Sequence, residues 1–259
     1  MLGTQGATVS LAGMRVLVTG ASSGIGRGIA IAAARAGADV ALTYRTNERG
    51  ARDAARDVEA LGRRARVIRL DLGDPTSIHA LASAARAALG GVDVWVNNAG
   101  ADVLTGPAAS MAATEKLDLL LRVDLRGTVL ASWQAIELMS AQDTGGVIIN
   151  MSWDHVLIGM AGIEAQLFSA VKGGVLAFSK SLARTVAPKI RVNVLAPGWI
   201  ETAYGTDVEE TLRRQVVAST PLERWGTPDD VAGAAVYLAS PAASFLTGQT
   251  MFVGGGVVM

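Results

Sequence analysis

The chain contains no cysteine, which excludes disulfides and thiol chemistry alike. Its only histidines are His79 and His155, too few for a histidine-rich metal centre, so no metal is expected. Any redox work would need a borrowed organic cofactor. A surplus of charge is also missing. The 23 basic and 23 acidic side chains cancel, and charged residues are 18% of the chain. Nothing therefore draws the protein electrostatically to nucleic acid or anionic lipid, and a small molecule is the expected partner. No apolar run reaches the roughly 18 residues of a membrane span. Met1 to Ala12 also lacks a basic segment followed by an apolar stretch. A cytoplasmic protein is expected.

What is present is apolar and regularly spaced. Half of the 259 residues are hydrophobic, enough for a sizeable core. Short aliphatic runs recur at Met14–Thr19, Asp39–Tyr44, Ala65–Leu70, Val92–Asn97, Gly146–Ser152, Arg191–Ala196 and Thr250–Val253, separated by Ala-rich stretches of helical length. Strands alternating with helices predict right-handed crossovers and a parallel sheet covered on both faces, which is why the strands read as continuous apolar runs. No linker, charge block or repeat divides the chain, so residues 1–259 are read as one domain. The loop-rich stretch from Pro197 to Pro228 reads as a lid, centred on about 199–221.

The first run leads straight into Thr19-Gly20-Ala21-Ser22-Ser23-Gly24-Ile25-Gly26 and then a helical segment. Glycines at a strand-to-helix turn let the backbone approach a pyrophosphate, with the amides and dipole of the new helix facing the anion. Asp71-Leu72, Asn97-Asn98-Ala99-Gly100 and Pro197-Gly198-Trp199-Ile200-Glu201-Thr202 close the third, fourth and sixth strands. All would lie at the carboxyl edge of one sheet, where open α/β folds bind ligands.

On these motifs, with Arg224-Trp225-Gly226-Thr227-Pro228-Asp229-Asp230 and Thr247-Gly248-Gln249, the chain resembles the short-chain dehydrogenase/reductase family over nearly its whole length. The resemblance implies a doubly wound α/β Rossmann fold with a seven-stranded parallel sheet and a nicotinamide cofactor. It implies that Gly20, Ser22, Ser23, Gly24, Ile25 and Gly26 cradle the pyrophosphate and that Asp71 and Leu72 meet the adenine. Asn98, Ala99 and Gly100 would line the cofactor, with Pro197, Gly198, Ile200 and Thr202 at the nicotinamide end and Lys172 on its ribose. The second strand closes in Tyr44-Arg45-Thr46, without the acid that grips a 2′-hydroxyl. Arg45 suits a 2′-phosphate, so NADP(H) is favoured over NAD(H). Relatives pack their long helices, here around Thr114–Met139 and Gly162–Ala187, into dimers or tetramers, so a homo-oligomer is expected.

The catalytic positions depart from the pattern. The family keeps a tyrosine four residues before the lysine; here Phe168 precedes Lys172. Asp124 stands where the family has asparagine, open to an ion pair with Arg122 or Arg126. Counted forward from the fifth strand, Trp153 holds the serine position, whereas counting backward from Phe168 across about two extra residues would place His155 there. Ser152 is one residue out of register and should face elsewhere.

Losing a positioned acid costs carbonyl reduction roughly 10²–10⁴ in rate. An iminium ion already carries positive charge and becomes a neutral amine on hydride addition. It would gain from a carboxylate and from aromatic faces, with Asp154, Asp124, Trp153, Phe168 and Trp199 as candidates and Asp154 ahead of Asp124. The leading expectation is an NADPH-dependent reductase of a C=N bond. The alternatives are carbonyl or alcohol chemistry with a substitute acid, His155, Asp154 or Tyr204, and a non-catalytic or non-redox NADP(H) binder. Trp199, Tyr204, Met160 and Leu157 suggest a fairly apolar pocket, and Glu164 reads as a solvated face.

Overall fold

The structure, a computed structural model, describes residues 9–202 and 208–259. Seven strands, β1 Arg15–Val18, β2 Asp39–Tyr44, β3 Ala65–Arg69, β4 Val94–Asn97, β5 Gly146–Met151, β6 Ile190–Pro197 and β7 Thr250–Val253, match the aliphatic runs to within two residues. They form one sheet in the order β3-β2-β1-β4-β5-β6-β7, every neighbouring pair parallel. The order reverses after β3, where the chain crosses from one edge to β4 beside β1. That switch point opens the crevice in which such sheets hold ligands.

Two apolar layers cover the sheet. Val16 and Val18 of β1 and Val94 and Val96 of β4 pack with α1 Gly24–Arg35, α2 Glu48–Ala60 and α8 Pro228–Ala239. The intervening Leu17 and Trp95 pack on the other face with α3 Pro75–Leu89, α5 Gly127–Ser140 and α6 Ile163–Val186. Successive side chains alternate between faces, and both faces are dry, so apolar residues are needed at every position. Gly28 lets α1 approach α8, since a Cβ there would stand 3.1 Å from Pro228. Under β4 and β5 the second layer holds a closed polar cluster. Asn97 Nδ2 donates to Asn150 Oδ1 at 2.8 Å and to Ser132 Oγ at 3.0 Å, and Asn150 Nδ2 donates to Ser179 Oγ at 2.9 Å. These bonds lock α5 and α6 onto the strands whose ends carry the site, at no cost in unsatisfied polar groups.

The helix α4 Ala113–Leu120 runs into α5 through a π-helical stretch, Leu121–Arg126. Such wider turns re-aim side chains, and this one carries Asp124. The lid segment contains α7 Glu210–Ser219, while Tyr204, one of the substitute acids considered, lies outside the described residues.

Candidate active site

The glycine turn after β1 is built as a cradle. Gly20 has φ +66° and Gly24 φ +52°, conformations that favour glycine. A Cβ on Gly26 would overlap the Gly20 carbonyl oxygen and the Asn98 side-chain amide, and one on Gly20 would stand 2.9 Å from Ala99 Cα. Thr19 bolts the turn to β4: its hydroxyl accepts from the amides of Asn98 and Ala99 at 2.9 Å, and Asn98 Nδ2 donates to its carbonyl at 2.9 Å. Ser23, at the N-cap of α1, makes no side-chain cap bond, so no hydroxyl competes for the first-turn amides. Thr202 reaches the same place from the loop after β6, 3.4 Å from a Cβ built on Gly24.

These features fit a dinucleotide: a turn that excludes side chains, an open helix N-terminus, and loops from β4 and β6 converging on it. Ser22 and Ile25 are half-buried there, Gly100 is exposed, Pro197 ends β6 and Gly198 follows it. Leu72 is buried beside half-buried Asp71, whose Oδ1 accepts from the Gly73 amide at 2.8 Å. At the end of β2, Tyr44 is half-buried and Arg45 and Thr46 are exposed. Glu48, on the first turn of α2, is bonded to Arg52 at 2.5 Å, and that guanidinium holds its carboxyl below the usual range.

At the catalytic positions the structure revises several expectations. Asp124 pairs with Lys172, Oδ2 to Nζ 2.8 Å, and not with Arg122 or Arg126. Its other oxygen accepts from the Ala101 amide at 2.7 Å, and the residue is 1% exposed. The lysine is thus charge-compensated by a neighbour where the family's pattern has a neutral amide. Ser152 donates its hydroxyl to the Lys172 carbonyl at 2.9 Å, facing α6 as strand alternation requires.

Asp154 was expected beside the reacting centre; instead it is fully buried behind Gly198, and neither it nor Asp124 lines the cavity. A one-turn 3₁₀ helix, Asp154–Val156, rolls its carboxylate toward β7, where a Cβ on Gly198 or Gly254 would overlap it. Its Oδ1 lies 2.5 Å from His155 Nδ1, while Oδ2 has no protein partner. His155 stacks on Trp153 with centroids 4.9 Å apart and meets Trp199 edge-on at 6.3 Å. Trp153 in turn meets Phe168 edge-on at 6.3 Å. One aromatic row therefore runs from the tyrosine position to the lid.

In front of that row lies a cavity of about 710 Å³, walled by Trp153, Phe168, Met160, Val103 and Leu104, with Trp199, Ile200, Thr202 and Leu212 from the lid side. The apolar character matches expectation, although Leu157 does not contribute: it is 59% exposed outside the wall. Glu164, expected on a solvated face, is 40% exposed and in addition lines the cavity, where it pairs with Lys116 at 3.2 Å. Its carboxyl sits below the usual range because its own backbone amide and then the Lys116 ammonium stabilise the ion. Lys116 had no signal in the sequence, being one lysine in an ordinary amphipathic segment. Only the fold brings α4 against α6. Among the described residues of the wall, Lys116 and Glu164 are the ionisable groups and Thr202 carries the hydroxyl. No group of three or more metal-binding side chains occurs among the described residues. No described helix is long and apolar enough to cross a membrane.

Residues 20–258 match the family model described as enoyl-(acyl carrier protein) reductase. The chain is 35% identical over 252 residues to 3beta-hydroxysteroid dehydrogenase 1 of Eggerthella lenta, covering 96% of this chain and 95% of that protein. It is 36% identical to an L-rhamnose 1-dehydrogenase (NAD(P)(+)) of a Sphingomonas species, covering 95% and 97%. Among solved structures it superposes on 7 alpha-hydroxysteroid dehydrogenase complexed with NADH and 7-oxo glycochenodeoxycholic acid. That match has a TM-score of 0.87 at 31% identity and covers 96% of each chain. A short-chain dehydrogenase from Burkholderia cenocepacia in complex with NADP matches with a TM-score of 0.85 at 31% identity, covering 95% of this chain and 98% of that one. The cradle, the sheet order and these matches agree, and the chain belongs to the short-chain dehydrogenase/reductase family of NAD(P)-dependent oxidoreductases.

Proposed function

We propose that the protein uses NADPH to reduce a C=N bond in a fairly apolar, cationic or protonatable substrate. The observation that carries this reading is Phe168 in the cavity wall, at the position of the acid, with Lys172 already neutralised by Asp124. A ketone that accepts hydride becomes an alkoxide and needs a proton donor or net positive charge beside it. Neither is supplied by these residues. An iminium ion brings its own charge, and addition at carbon leaves a neutral amine. The cofactor, when bound, supplies the hydride. The protein's part is to hold the flat cation against the faces of Trp153 and Phe168 and to exclude water. Incubation with NADPH, cyclic imines and matched ketones tests the reading. Turnover of imines is expected, and turnover of ketones alone overturns it.

Preference for NADPH rests on exposed Arg45 and on the absence of an acid in Tyr44-Arg45-Thr46. The NADP-bound relative supports it in kind, although the 7 alpha-hydroxysteroid dehydrogenase was solved with NADH. A cytoplasmic homo-oligomer is part of the same proposal, and exposed Trp133 lies on α5, one of the long helices through which relatives pack their subunits.

A second reading has one observation in its favour. His155 Nδ1 is held by Asp154 at 2.5 Å, the arrangement that orients an imidazole acid. His155→Phe keeps the stack on Trp153 but removes the proton. Imine reduction is expected to survive this change; loss of ketone reduction by more than tenfold would move the acid to His155.

A further inference from the structure

The Lys116–Glu164 pair is out of character with its surroundings. The Lys116 side chain is 8% exposed and stands on the same helix as fully buried Leu120, yet its ammonium has one hydrogen-bond acceptor, Glu164 Oε1 at 3.2 Å. An ammonium carries three N–H groups, so two remain to be satisfied. Glu164, 40% exposed, accepts from Lys116 and from its own backbone amide, and its two carboxylate oxygens keep further acceptor capacity. Both residues line the cavity, whose wall is otherwise almost entirely apolar. Glu164, Phe168 and Lys172 all belong to α6 at spacings of four residues. Helical geometry places them on one stripe, about 6 Å apart along the axis.

We infer that Lys116 and Glu164 form a specificity site that binds a hydroxyl group of the substrate, about one helical turn beyond the reacting bond. The pair is neutral overall and offers free donors next to a free acceptor. A hydroxyl, which donates and accepts at once, completes both; a second carboxylate would repel Glu164, and a hydrocarbon would leave both charges desolvated. The preferred substrate is then an apolar ring system of roughly two fused rings, reactive at one end and hydroxylated at the other. The inference rests on the cavity being the substrate site of the proposed reductase, but not on which bond is reduced.

The test is calorimetric and needs no turnover. Isoquinoline, 6-hydroxyisoquinoline and isoquinoline-6-carboxylate are titrated into the protein with NADP⁺ present, in wild type and in Lys116→Met/Glu164→Leu. Replacing an ion pair with one buried partner by apolar residues of similar size is generally tolerated by the fold, and circular dichroism checks that the variant is folded. The hydroxylated probe is expected to bind wild type about 10- to 100-fold more tightly than isoquinoline, as two hydrogen bonds to charged groups allow. That ratio should fall to near one in the variant. Equal affinities in wild type, a ratio that survives the double substitution, or tighter binding of the carboxylate would each overturn the inference. Failure of the C=N reading would show separately, as absence of imine turnover, and would leave these affinities unchanged.

Discussion

Asp124 Oδ2 lies 2.8 Å from Lys172 Nζ, so the carboxylate at the family's asparagine position cancels the charge of the family's lysine. In the family's pattern that lysine lowers the pKa of a tyrosine. Here phenylalanine stands four residues before it, at the tyrosine's position, and the lysine has no net charge to lend.

Restoring the tyrosine alone should therefore recover little. Phe168→Tyr is expected to raise ketone reduction by less than about tenfold, because the phenol would meet a compensated lysine. Asp124→Asn with Phe168→Tyr should raise it further, by on the order of 10–10², as a positioned acid allows. The rate of NADPH oxidation with a panel of cyclic ketones reads both. Equal rates for the single and double variants would contradict the role given to Asp124.

Asp124→Ala should destabilise the fold. It strands Lys172 in a site where its side chain is 14% exposed, and it deprives the Ala101 amide of its acceptor. Breaking such a pair costs about 3–5 kcal/mol. Denaturant unfolding measures the loss, and Asp124→Asn, which can still accept from Ala101, should lose less.

Arg45→Asp should exchange cofactors. An acid at the end of β2 suits a ribose 2′-hydroxyl and repels a 2′-phosphate. Affinity for NADPH is expected to fall at least tenfold while that for NADH holds or improves, as measured by fluorescence titration. An unchanged NADPH affinity would make Arg45 an ordinary surface residue.

Asp230 ties stability to acid. The Arg224 guanidinium, at 2.7 and 2.8 Å, is the main cause of its strongly depressed pKa, and the Thr227 amide and hydroxyl add to it at the N-cap of α8. A depressed carboxyl stabilises the fold fully above the unfolded aspartate value near ~3.9 and loses that contribution as pH falls toward the folded value. Because the pair is partly exposed, the effect is modest, about 1 kcal/mol. Relative to wild type, Asp230→Asn should show a lower thermal midpoint that is constant above about pH 5, with the deficit shrinking below about pH 4. A deficit that grows on acidification would be inconsistent with this assignment.

How much of this was legible in the chain follows from the range of each interaction. The seven strands are written locally in short apolar runs, and the turn from Gly20 to Gly26 in glycines that either leave no room for a Cβ, as at Gly20 and Gly26, or hold a positive φ, as at Gly24. The vacancy at Phe168 was equally visible, since it needs only a spacing of four from Lys172. The partners were not. Lys172 and Asp124 meet because a π-helical stretch turns Asp124 toward α6, and periodicity does not announce such a turn. Asp154 looked available one residue after Trp153, yet a single 3₁₀ turn buried it against glycines 44 and 100 residues downstream, Gly198 and Gly254. Lys116 and Glu164, 48 residues apart, became a pair only when α4 packed on α6. Residue order by itself determined the fold class, the cofactor cradle and the missing acid, because each depends on neighbours along the backbone. Tertiary packing alone decided which charges face each other and which face the cavity, because burial and pairing depend on segments the chain brings together from far apart.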